Sequence, residues 1–318
     1  MTAALGRFTT ALLAVSIGWI SLSGCRDSAN AAKPGASAKG PLDVVCTIGM
    51  ITDVVRNIGG EHITVHGLMG EHVDPHLYKA TPADHRLLSN ADAIFYNGVH
   101  LEGRMADLFV QLARKKAVFA VTEKIDPTLL REPPEFAGQY DPHVWFDVTL
   151  WMSAAERIRD ALIELRPAQK ADFESRAARY LAQMTELHEF CKKKIATIPR
   201  DRRVLVTAHD AFGYFGRAYG LEVMAIQGIS TESEAGLKTM NSLVDALVQR
   251  RLPAVFVESS VNPRYIQALV EGCKARGHDV KIGGELFSDA MGKDGTPEGT
   301  YLGMVRHNVD TIVKALTP

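Results

Sequence analysis

The chain has 318 residues, 46% of them apolar and 23% charged, with 36 Lys+Arg against 37 Asp+Glu. That length suits about two domains, and the balance excludes a disordered chain, a collagen and a multi-span membrane protein. With a formal net charge of -1 and no basic run, nucleic-acid binding has no electrostatic support.

Residues 1–24 carry one charge, Arg7, and no acid, with an apolar run from Ala11 to Leu22. A basic start, a short apolar run and small residues before a cut point form a signal peptide. The run falls short of the ~20 apolar residues that a membrane span needs. Leu22-Ser23-Gly24-Cys25 resembles the bacterial lipobox, which makes Cys25 the expected lipidated first residue. Residues 25–40 then form a flexible tether rich in Ala, Ser, Gly and Lys. This puts the protein outside the cytoplasm, held to the membrane by lipid. Cys46, Cys191 and Cys273 remain, an odd number, and are read as structural with any pairing left open.

Residues 41–166 predict an α/β lobe. Leu42–Thr47 is a β-branched run expected as a buried strand. Ile48–Ile58 has helical spacing and stops at Gly59-Gly60. Strands are expected at His62–Leu68, Ala93–Tyr96 and Ala117–Val121, and helices at Pro82–Ser89 and Arg104–Ala113. Alternation of this kind implies a parallel sheet with flanking helices. Thr149–Leu165 predicts a helix stopped before Pro167.

Pro167–Ile195 is the longest helical pattern, with Phe173, Tyr180, Leu181, Met184, Leu187 and Cys191 at spacings of three and four. At 1.5 Å per residue it spans about 43 Å, which suits a rigid rod joining two lobes. Residues 167–197 are the expected linking helix and 198–318 a second α/β lobe. There, strands are expected at Val204–Thr207, Leu221–Ile226, Ala254–Glu258 and Val280–Ile282. Helices are expected at Phe212–Tyr219, Gly236–Arg250, Pro263–Arg276 and Thr300–Leu316.

Three of the 11 histidines sit where a strand or loop meets a helix. Asp-Pro-His occurs twice, at Asp74–His76 and Asp141–His143. Proline fixes its own φ and restricts the residue before it, so each histidine sits on a stiff turn. His209 follows the Val204–Thr207 strand and Asp289 follows the Val280–Ile282 strand. Ligands collect at the carboxyl ends of strands in open α/β sheets. Two ligands from each lobe would close around one ion. Three imidazoles and a carboxylate suit tetrahedral zinc, and a carboxylate binding through both oxygens also serves manganese or iron.

These stretches resemble the TroA-like metal-binding lipoproteins that serve bacterial zinc and manganese ABC importers. The matching segments are Asp74–Asp84, Asn97–Gly103, Asp141–Asp147, Thr207–Phe215, Ser230–Glu234, Phe256–Arg264 and Glu285–Gly292, in family order. The resemblance implies two α/β lobes joined by a long backbone helix. It implies metal ligands at His76, His143, His209 and Asp289, with histidine at the third position favouring zinc over manganese. Thr122–Tyr140 has no histidine, whereas many zinc-specific members carry a histidine-rich loop there, so manganese or iron stays open as cargo. His100, Asp210 and Glu258 are the expected partners that orient the ligands from behind. The expected protein is a monomeric solute-binding component of an ABC permease, not an enzyme. Rival readings are a secreted zinc hydrolase and a surface adhesin of the same fold. The hydrolase is disfavoured by four protein ligands and by the lack of His-Glu-x-x-His.

Overall fold

The computed structural model describes residues 40–136, 138–232 and 236–317. The signal peptide, Cys25 and nearly all of the tether expected from the sequence lie outside the described residues. Among the described residues no helix is long and apolar enough to cross a membrane.

The first lobe alternates β1 (Leu42–Cys46), α1 (Gly49–Gly59), β2 (Ile63–Gly67), α2 (Pro82–Asn90), β3 (Ala93–Tyr96), α3 (Ala106–Ala113) and β4 (Ala117–Ala120). Its four strands are all parallel, in the order β2-β1-β3-β4. Helix α2 starts on a full capping box: the Thr81 hydroxyl accepts from the Asp84 backbone N–H, and the Asp84 carboxylate accepts from the Thr81 N–H. This rigid start closes the loop that carries the first Asp-Pro-His turn.

Helix α4 (Val148–Leu165) leads into α5 (Lys170–Ile195). The expected helix from Pro167 opens instead with a separate 3-10 turn at Pro167–Gln169, because a helix start tolerates proline only within its first turn. The same correction applies at Gly103–Met105, a 3-10 turn ahead of α3. Along α5, Phe173, Ala177, Tyr180, Met184, Leu187, Cys191 and Ile195 are buried on one stripe. The rod is therefore no free strut: it packs against α1, α4 and α9.

The second lobe contains β5 (Val204–His209), α6 (Gly213–Tyr219), β6 (Glu222–Gln227), α7 (Leu237–Arg250), β7 (Ala254–Glu258), α8 (Arg264–Ala275), β8 (Lys281–Leu286) and α9 (Tyr301–Leu316). Strands β5–β6 and β7–β8 form two parallel pairs, and β5 lies beside β7. Two strands outrun the expected bounds. β5 extends to His209, which pairs with Gln227, so His209 ends the strand rather than following it. β8 runs through Gly283-Gly284 to Leu286. These glycines do not end the strand, because α9 packs over it: a Cβ on Gly283 would lie 2.7 Å from Ala315.

Strand alternation sorts the residues of β5. Val204, Val206 and Ala208 belong to a second-lobe core with Val255, Ile266, Leu269 and Cys273. Leu205 faces the larger core, which continues through α1, α4, α5 and α9. His209 shares the face of Leu205. Cys46, Cys191 and Cys273 are buried free thiols, which answers the pairing left open by the sequence.

One buried carboxylate ties the lobes to the rod. Asp53 on α1 accepts from the Tyr180 hydroxyl of α5 at 2.7 Å and from the Tyr301 N–H at the start of α9 at 3.1 Å. Burial holds its carboxyl above the usual range despite these bonds. We expect Phe173→Ala to lower the stability of the metal-free chain by about 3–5 kcal/mol. Exposed Glu174→Ala on the same helix should stay within ~0.5 kcal/mol. Urea unfolding followed by circular dichroism measures both.

Candidate metal centre

Two Asp-Pro-His turns deliver the first pair of side chains. In each turn the aspartate accepts from the histidine backbone N–H: Asp74 Oδ1 from His76 and Asp141 Oδ1 from His143, both at 2.9 Å. The short loop closed by that bond, with proline at its centre, presents each ring in one direction. His209 comes from the end of β5, and Asp289 from the loop after β8. All four side chains are buried, His76 at 4% exposure and the others at 1% or less.

Their ligating atoms lie within 4.8 Å of one another. The Nε2 atoms of His76 and His143 are 3.3 Å apart. Asp289 Oδ2 is 3.2 Å from His209 Nε2 and 3.5 Å from His76 Nε2, and its Oδ1 is 3.4 Å from His143 Nε2. Three ring nitrogens and a carboxylate thus converge on one point, two from each lobe.

Carboxylates stand behind two of the rings. Asp141 Oδ1 is 2.7 Å from His143 Nδ1, and Glu258 Oε2 is 2.6 Å from His209 Nδ1. Glu258 Oε1 also accepts from the His209 N–H at 2.9 Å. Glu258 reaches His209 because the two residues end neighbouring strands β7 and β5 on the same face. A carboxylate at Nδ1 favours the tautomer with hydrogen there, and leaves the Nε2 lone pair facing the cluster.

Two observations bear on what this centre can hold. The two buried oxygens of Asp289 face only the ring nitrogens of the cluster, and neither meets a hydrogen bond of standard geometry. Buried carboxylate oxygens without a donor are costly and rare in folded chains. An N₃O donor set around a common point matches a divalent cation, most simply tetrahedral zinc. The rings also divide in basicity. Burial pushes His76 down to about 3, reinforced by the neighbouring rings and only partly opposed by Asp289. Burial acts on His143 in the same direction, but Asp289 and Asp141 overcome it and raise His143 to about 9. Burial likewise disfavours the charge on His209, yet Glu258 and Asp289 hold it well above the usual range. Asp289 sits well below its ordinary value: burial raises it, and His209 and His143 more than reverse that.

The structure treats the three expected orienting residues differently. Glu258 meets its ring. Asp210 carries a carboxyl pushed up to about 6, by burial and by Asp141 against the opposing Arg131, and it faces Arg131 at 3.6 Å rather than a ring of the cluster. His100 does not join the group. Its ring is exposed on a left-handed turn, with φ of 51° at Val99 and 61° at His100, and it lines a separate cavity with Tyr96, Phe109 and Tyr140. Of the remaining histidines, His62, His72, His188, His278 and His307 make hydrogen bonds elsewhere. The sequence reading missed the roles of Asp74 and Asp141, although their repeat two residues before a candidate ligand was a usable signal. It gave no role to Arg131 or Thr231, although Thr231 lies in the Ser230–Glu234 segment that matches the family; no local pattern marks Arg131.

Residues 44–315 match the family model described as zinc-uptake complex component A, periplasmic. The chain belongs to that family. It is 49% identical over 281 residues to the zinc-binding protein TroA of Treponema pallidum (strain Nichols), covering 88% of this chain and 91% of that one. It is 46% identical over 306 residues to the manganese-binding lipoprotein MntA of Bacillus subtilis (strain 168), covering 96% and 98%. The solved structure of the periplasmic zinc binding protein TroA from Treponema pallidum superposes with a TM-score of 0.86, covering 88% of this chain and all of that one. A manganese-bound periplasmic metal binding protein from candidatus liberibacter asiaticus superposes at 0.75 with 25% identity, covering 86% and 99%. The family thus shares the two-lobed α/β fold with its long central helix.

In the metal-free protein we expect the His143 ring to titrate near 9 and the His76 ring near 3, read by ¹⁵N NMR of labelled histidine. The signs differ. His143, raised above its unfolded value of about 6.5, adds stability below that pH and loses it as pH rises through about 9. His76, lowered, costs stability as pH falls from about 6.5 toward 3, where the unfolded chain takes up the proton first.

Proposed function

We propose that the chain is the extracytoplasmic solute-binding component of a metal ABC importer, with His76, His143, His209 and Asp289 holding one divalent cation as cargo. The observation that carries this reading is the buried Asp289 carboxylate facing three imidazole nitrogens, all four donors within 4.8 Å of one another. A cation supplies the charge those oxygens lack. Family membership and the two relatives named for zinc and manganese support import rather than hydrolysis. Four protein donors also leave none of the open coordination that a catalytic zinc requires. In this reading the protein is no enzyme. It works as a monomer, is held at the membrane by lipid on Cys25, and passes its ion to a permease.

Zinc is the cargo we favour, because imidazole at position 209 adds a third nitrogen donor, to which zinc is better suited than manganese. Manganese is the second reading, favoured by the 46% identity to a manganese-binding relative and by a carboxylate with both oxygens free for bidentate binding. Elemental analysis of protein purified from its own envelope without chelator decides between them. We expect one zinc per chain, and a shift toward manganese in a His209→Glu variant. Manganese in the parent would keep the ligands and overturn the cargo.

Metal competes with protons for the ring nitrogens, so affinity should fall as pH drops. Chelator competition should give weaker zinc binding at pH 5.5 than at pH 7.5, by up to about tenfold per pH unit for each proton displaced. Glu258→Gln keeps the shape but weakens the hold on His209, and should cost roughly 10–100-fold in zinc affinity by the same assay. His76→Ala and Asp289→Ala should weaken binding further while leaving the far-ultraviolet circular dichroism unchanged. Parent-like affinity in His76→Ala would remove His76 from the ligand set.

A further inference from the structure

The two Asp-Pro-His turns share a construction that ligand geometry alone does not require. In each, one oxygen of the aspartate anchors the histidine backbone, and the other is held by a side chain that ties it, directly or through one more residue, to the second lobe. Asp74 Oδ2 accepts from the Thr231 hydroxyl at 2.5 Å. Thr231 lies between β6 and α7, in the second lobe. Asp141 Oδ2 is paired with the Arg131 guanidinium, whose far nitrogen is 3.6 Å from Asp210 Oδ2 in the second lobe. Tyr214 of α6 adds a hydrogen bond from its hydroxyl to the Asp141 carbonyl at 2.9 Å. Both first-lobe ligand turns are thus fastened to the second lobe through the aspartate that sets them.

The rim around the first turn carries more contacts of this kind. His72 Nδ1 meets the Ser259 carbonyl at 2.9 Å, and Arg104 pairs with Glu232 at 2.8 Å. His76 is also the most exposed of the four cluster side chains.

We propose that Thr231 is a positioning residue for cargo retention, acting through Asp74 on His76, and that Arg131 acts likewise through Asp141 on His143. The inference rests on the metal-capture reading above. A hydroxyl donating to a carboxylate is a strong, directional bond. While it holds, Asp74 cannot rotate, and its other oxygen keeps the His76 backbone in place. When the loop that carries Thr231 shifts away, both restraints on His76 loosen together. Ligand orientation is thereby coupled to the position of that loop without any added metal contact.

The test is release of Zn²⁺ from the loaded full chain into excess fluorescent chelator by stopped flow. Thr231→Val keeps the volume and removes the hydroxyl. A hydrogen bond to a charged acceptor is worth enough to predict release about 10–100-fold faster. Thr231→Ser, which restores the donor, should return to within ~3-fold of the parent, since little more than a methyl group is lost. In a His76→Ala background, Thr231→Val should add less than ~2-fold, because its route to the ion is gone. Unchanged release in Thr231→Val overturns the proposal, as does the same acceleration in the His76→Ala background, which would mark a general structural role. If Thr231→Val does not fold, Arg131→Met against His143→Ala gives the same comparison with the same criteria. A parent chain that holds no zinc sinks the metal-capture reading itself. A parent that holds zinc and releases it no slower than Thr231→Val sinks this inference alone.

Discussion

Everything at the centre of this protein depends on one buried carboxylate. Asp289 sits at 1% exposure among three imidazoles, and its oxygens face only their ring nitrogens. A charge so placed is tolerable only with compensating positive charge at hand. In the metal-free chain that compensation falls to protons on His143 and His209, which is why both rings are raised and Asp289 is lowered. A divalent ion would replace those protons. The cluster is therefore built to exchange one kind of positive charge for another.

The scaffold serves that exchange by limiting how far the lobes can drift. α5 is buried along one face through its whole length, and α9 returns from the second lobe to pack on it and on α1. Asp53 joins all three helices with two hydrogen bonds. A hinge moving freely would need few contacts across it, and this one is crossed by a continuous core. Motion at the site is then best carried by the loops that hold His76 and Thr231, which are fastened by single polar bonds rather than by core packing.

Much of the fold was legible in the chain. Alternating β-branched runs and amphipathic segments marked the elements in their order, and only their ends moved. Those ends moved for tertiary reasons. The strand expected at Val280–Ile282 runs on through Gly283-Gly284 to Leu286, where α9 rests on the glycines. Pro167 looked like a helical residue, but it opens a separate turn. The metal-centre candidates were legible because the Asp-Pro-His repeat is a local motif with a local physical meaning. His100 stands exposed and outside the cluster, on a left-handed turn at Val99 and His100 that is invisible in composition.

The sequence by itself determined which residues could act as metal donors, and that they sit on stiff turns and strand ends, since proline geometry and strand periodicity act over a few residues. It named Glu258 as a partner behind the ligands but not which ring it meets, and it gave no role to the others. Glu258 reaches His209 across neighbouring strands separated by 49 residues, Arg131 reaches Asp141 from a loop without any motif, and Thr231 reaches Asp74 across 157 residues. Partners that orient a ligand need only one polar atom in the right place, and many residue types can supply one. Such a requirement leaves no spacing rule in the chain, so only the folded arrangement of the two lobes decides it.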